Sequence, residues 1–187
     1  MRRLIYILVV VAIAAGVHFV STGRENKKAA PASSEGPYSV RKMLENAPVI
    51  PPGQECVVSF NKGRATFTRG NARSEIALGD IFAAARTSDG VDFLGYITVN
   101  SGGSGTFRYL VLYSMTKQGL MHQDSAFLGD RVQVRSIQTA QRTDNEEYRV
   151  TASILDRKPD EPMSVPPVLE RKLIFSVSDN RFIVERK

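Results

Sequence analysis

The stretch of this chain richest in reactive groups is Asp156-Arg-Lys-Pro-Asp-Glu-Pro-Met163, where three carboxylates and two cations are packed between prolines. Asp156, Asp160 and Glu161 are residue types that can exchange protons with a substrate, so an acid–base site is one reading. Arg157 and Lys158 work against it, because neighbouring cations favour ionised carboxylates and leave no proton to donate. The prolines pre-set an extended, solvated path. The segment therefore reads as a recognition loop, with Asp156, Arg157, Lys158, Asp160, Glu161 and Met163 as candidate partner-binding residues. No catalytic residue is assigned.

Other reactive types fall short of a constellation. Cys56 is the single cysteine, so no internal disulfide forms and packing alone must hold the fold. A thiol nucleophile needs a base, and the two histidines are His18, inside an apolar run, and His122. Cys56 is expected half-buried before the apolar pair Val57-Val58. Ser101-Gly-Gly-Ser-Gly105 has the glycines of a phosphate loop, but no Lys-Ser/Thr follows and Thr106-Phe-Arg-Tyr109 opens a strand. It reads as a hairpin turn. Asp89-Gly-Val-Asp92 supplies two carboxylates where calcium loops use about four or five ligands, and so reads as a turn too. There is no Gly-x-Ser-x-Gly elbow and no Cys/His metal spacing. No metal or cofactor is expected.

The scaffold behind these groups is mainly β, an antiparallel sheet, sandwich or partial barrel, with one N-terminal transmembrane helix and one or two short helices. Val57–Phe60 and Arg64–Thr68 flank Asn61-Lys-Gly63, a hairpin connection in which Gly63 accepts positive φ. Phe93–Asn100 and Thr106–Tyr113 are strands. In the second, Phe107, Tyr109, Val111 and Tyr113 alternate with Leu110 and Leu112, which predicts burial on both faces. Val132–Thr139, Tyr148–Leu155, Leu173–Val177 and Phe182–Val184 follow. Ser39–Asn46 predicts a short helix capped by Ser39 and ended by Pro48. Asp80–Arg86 predicts a second, capped by Asp80.

Leu4–Val20 is apolar apart from His18. Its length is at the short end of the about 20 residues that cross a bilayer. Arg2-Arg3 would suit a signal peptide, but no small-x-small site follows the run, so residues 1–23 read as an uncleaved signal anchor. Residues 24–37 form a polar, Pro-punctuated linker, and residues 38–187 a soluble domain. The expected placement is single-pass in the inner (cytoplasmic) membrane with the C-terminal domain outside the cytoplasm. The lipid bilayer is then the partner of residues 4–20.

The formal charge of +6 does not point to nucleic acid. Residues 1–28 hold a balance of +4 and residues 29–187 only +2, so most of the excess flanks the apolar run, where it meets anionic headgroups. No nucleic-acid partner is expected.

Three signatures, Gly102-Gly-Ser-Gly-Thr-Phe-Arg-Tyr109, Phe127-Leu-Gly-Asp-Arg131 and Asp156-Arg-Lys-Pro-Asp-Glu-Pro-Met163, resemble a recurrent domain of bacterial cell-envelope proteins and lipoproteins. The resemblance spans about residues 75–178. The acidic stretch found before the Gly-rich turn in that family is reduced here to Gly79-Asp80 and Asp89-Gly-Val-Asp92, which argues against a metal. The resemblance implies an envelope location and a β-rich fold, and no reaction. Together these features predict a non-enzymatic, membrane-anchored protein that binds another envelope protein. The alternatives are an envelope hydrolase of peptide or glycan using the Asp156–Glu161 loop, and an accessory subunit whose Ala12/Gly16 spacing packs on partner helices.

Overall fold

The computed structural model describes residues 40–88, 90–141, 147–162 and 164–185, all within one compact unit, Gly36–Lys187. The Leu4–Val20 run, the linker, Ser39, Asp89 and Met163 lie outside the described residues. Among the described residues no helix is long and apolar enough to cross a membrane.

The described chain is mainly β. It runs α1 (Val40–Leu44), β1 (Pro48–Val49), β2 (Val58–Ser59), β3 (Arg64–Arg69), β4 (Ala72–Arg86), β5 (Val91–Asn100), β6 (Thr106–Thr116), β7 (Gly119–Asp130), β8 (Gln133–Gln141), β9 (Tyr148–Asp156), β10 (Leu169–Ser178) and β11 (Arg181–Val184). Spatial order follows sequence order. One sheet is β3-β4-β5-β6-β7 and the other β8-β9-β10-β11, every pairing antiparallel, with β1-β2 as a separate ribbon.

Alternation in β6 distributes its side chains over two cores. Leu110 and Leu112 join Leu128, Val150, Ala152, Ile154 and Phe175 between the two sheets. Val111 and Tyr113 face the other way, against Leu44, Val49, Phe60, Ile76 and Ile97, where α1 and the β1-β2 ribbon close the outer face. Leu110, Val111, Leu112 and Tyr113 are all fully buried, as the doubly apolar run predicts.

Asp80–Arg86 is not a helix. It is the second half of β4, paired with β5 through Arg86↔Val91. Alanine is the best helix former, but propensity is a weak determinant, and pairing of Ala83–Arg86 with β5 overrides it. Two bulges, at Leu78/Ile81 and Ile81/Ala83, break the two-residue period that would have marked a strand. They turn β4 so that Ile76 and Leu78 serve the outer core while Ala83 and Ala85 serve the inner one. Gly95 of β5 lies opposite Ile81 between the bulges, and a Cβ there would sit 2.7 Å from the Asp80 carbonyl oxygen.

The Asn61-Lys-Gly63 turn forms, with Lys62 at φ 52° and Gly63 at φ 76°, and the Asn61 N–H donates to Arg64 O at 2.8 Å. The strands it joins part at once, however. β2 pairs with β1, and β3 pairs with β4. Cys56 is exposed in the β1–β2 loop rather than half-buried, and Val57 beside it is exposed as well.

Candidate functional site

The β9–β10 connection builds a surface cleft. Asp156 ends β9 opposite Leu169, which starts β10, and the Val168 N–H donates to the Asp156 carbonyl at 3.0 Å. Between them the chain makes two tight turns instead of an extended arm. In the first, the Glu161 N–H donates to Lys158 O at 3.1 Å, and in the second the Val165 N–H donates to Pro162 O at 3.0 Å. Proline fixes the local φ values but leaves the residues between free to fold back.

The resulting cleft of about 490 Å³ is lined by Asp130, Asp156, Arg157, Lys158, Pro159, Glu161, Leu169 and Arg171. Four of the six residues picked from sequence line it. Asp160 is exposed on the same loop without lining the cleft, and Met163 lies outside the described residues. Arg171 and Asp130 join from other elements. Arg171 comes from β10, brought close by the β9–β10 register, and Asp130 from the end of β7.

Three carboxylates and three cations face this cleft, and they are engaged with protein groups. Asp156 accepts from the Arg157 N–H at 2.8 Å and pairs with the Arg171 guanidinium. Glu161 accepts from the Lys158 N–H at 3.1 Å and lies 3.7 Å from its ammonium. The Arg157 Nε–H donates to the Val165 carbonyl, bracing the second turn. Asp130 accepts from the Thr106 N–H at 2.8 Å. Among the described residues no Ser, Thr, Cys or His side chain lines the cleft. Its chemistry is charge and hydrogen bonding. Exposed ion pairs of this kind are worth about 0–1 kcal/mol each, so a bound partner can exchange them at small cost.

Two polar groupings escaped sequence reasoning. Asp92 is buried in β5, just past the turn in which the Thr87 N–H donates to the Gly90 carbonyl at 3.1 Å. It accepts hydrogen bonds from Ser114 Oγ at 2.6 Å and Tyr148 OH at 2.8 Å, which ties β5 and β6 to β9 across the inner core. Burial first, then the neighbouring carboxylate, raises the Tyr148 phenol above its ordinary range.

The second is His122-Gln-Asp-Ser125, on a strand absent from the sequence-based set. His122 Nε2 lies 2.9 Å from Ser125 Oγ. Residues three apart in a regular strand point to opposite faces. A bulge between the Leu112/Asp124 and Tyr113/His122 pairs inserts Gln123 and brings the two to one face. The same bulge sends Asp124 to the other face, where it accepts from the Phe182 N–H of β11 at 2.7 Å. Among the described residues His122 Nδ1 has no hydrogen-bond partner, so Asp124 does not orient the ring as a triad carboxylate would. Burial lowers the His122 imidazole to about 4, although Asp124 opposes that shift.

No family model matches this chain, and comparison with curated proteins and with solved structures found no match either.

Proposed function

We propose that this chain is a membrane-anchored envelope protein whose β domain, residues 38–187, is a non-enzymatic binding or accessory module. The observation that carries this reading is the charged cleft at the β9–β10 loop. It sits on a two-sheet scaffold, presents charges of both signs, and among the described residues has no Ser, Thr, Cys or His in its lining. A polar, evenly charged lining suits recognition of another polar surface. The Leu4–Val20 run, with flanking basic residues, supports single-pass anchoring, and the three signatures that resemble a cell-envelope domain support an extracytoplasmic place for the cleft.

The reading has two tests. Protease added to intact spheroplasts should digest the β domain, while a fragment containing the Leu4–Val20 run stays with the membrane. A domain that resists until the membrane is opened would reverse the orientation. In crosslinked envelopes the wild-type chain should capture a reproducible partner, and Arg157→Glu combined with Lys158→Glu should lose it. Failure to capture any partner, or capture indifferent to both substitutions, sinks the role given to the cleft.

A further inference from the structure

Among the described residues, β10 has one edge that is only half used. Along β9 it pairs from Leu169 to Val177, whereas β11 covers the opposite edge only from Phe175 to Ser178. One more bond follows, from the Glu185 N–H to the Ile174 carbonyl at 3.0 Å. Among the described residues no strand pairs with the remainder of that edge, Leu169–Leu173. Since Ile174 directs its carbonyl to that side, Lys172 and Glu170, two and four residues earlier, direct their backbone groups the same way. An unpaired row of this kind is a template for another strand.

The five residues on the edge are self-complementary. In Leu169-Glu-Arg-Lys-Leu173, an antiparallel copy centred on Arg171 sets Glu170 opposite Lys172, Lys172 opposite Glu170, and Leu169 opposite Leu173. We propose that the partner of this edge is a second copy of the same chain, paired antiparallel about a two-fold axis through Arg171. Glu170 and Lys172 are exposed and share the outward face, so two cross-strand ion pairs form there. They are also the residues whose backbone groups face the edge, so each pair is reinforced by reciprocal main-chain hydrogen bonds.

On the inward face, Leu169 of the second copy meets Leu173. There a groove of about 230 Å³ is lined by Phe127, Leu173, Phe175 and Val184, with Lys172, Ile174 and Glu185 completing it. Leu169 and Val184 are 41% and 61% exposed, and the pairing covers apolar surface that this unit leaves in water. The one like-charge meeting is Arg171 with its own copy, and each Arg171 is paired with its own Asp156. The interface is isologous and closes at two copies.

Sedimentation velocity of the full-length chain in detergent micelles tests this. The wild type should dimerise. Glu170→Lys and Lys172→Glu each place like charges opposite one another at both ends of the pairing, and each should raise the dimer dissociation constant roughly tenfold. An equimolar mixture of the two variants restores opposite charges at both positions and should dimerise like the wild type. The double variant should do so as well, and it also shows that neither substitution harms the fold. A wild type that sediments as a monomer at every concentration overturns the proposal. So does a dimer indifferent to both substitutions, which would place self-association elsewhere, for instance in Leu4–Val20.

Discussion

At the scale of single residues, the buried polar side chains carry consequences that composition hides. His122 is ordinary in sequence, yet in the fold its ring is nearly enclosed and packs edge-on to Tyr113, with centroids 5.2 Å apart. Its imidazole falls from 6.5 in the open chain to about 4 in the fold. As pH drops through that interval the unfolded chain takes up a proton that the folded chain refuses, so stability is lost on acidification and is unaffected above 6.5. The acid arm is worth about 3 kcal/mol. Urea unfolding of wild type and His122→Gln across this range should show the slope in the former and its flattening in the latter. Asp92 makes the converse point. Removing a hydroxyl that serves a buried carboxylate leaves it underbonded, so Tyr148→Phe should cost about 1.5–3 kcal/mol by the same measurement. Neither burial was legible beforehand, because Asp92 sits beside an Asp-Gly turn signal and His122 inside a polar run. The cleft was partly legible. The Asp156–Glu161 cluster announces itself by composition, whereas Arg171 follows fifteen residues later and joins only through the β9–β10 register.

At the scale of elements, β5 could be read from sequence as an apolar run, and β6 and β9 from their alternation. In β9, Tyr148, Val150, Ala152 and Ile154 are all buried on one side. The second half of β4, misread, and all of β7, missed, contain bulges, whereas the first half of β4 was missed although its ladder with β3 is unbroken, and β8 was read although it contains a bulge. An inserted residue resets the inward and outward pattern in mid-strand, and periodicity then reports neither helix nor strand. The bulges are nonetheless tightly specified. Gly95→Ala would push a methyl into the Asp80 carbonyl and should cost about 1–3 kcal/mol in chemical denaturation. Gly103→Ala, where an added Cβ meets nothing within 4 Å, should stay within about 0.5 kcal/mol of wild type.

At the scale of the molecule, a five-stranded sheet lies between a four-stranded partner and a cover of α1 and the β1-β2 ribbon. Its charge is nearly balanced once the basic N-terminal flank is set aside, with +2 over residues 29–187. Electrostatic attraction to phosphate backbones is accordingly weak. A mobility-shift titration of residues 38–187 with duplex DNA at physiological salt should show no retention, and saturable, salt-sensitive binding would refute the charge argument.

The match between spatial and sequence order in both sheets also bears on how the chain reaches its native state. Within each sheet every strand pairs with its neighbour in sequence, so all five strands of the first sheet precede every residue of the second along the chain. Leu94, Leu110, Leu112 and Leu128 line the face that β8, β9 and β10 cover. A first sheet that formed before the second packed on it would expose this apolar face to aggregation and to chaperones until the last four strands covered it.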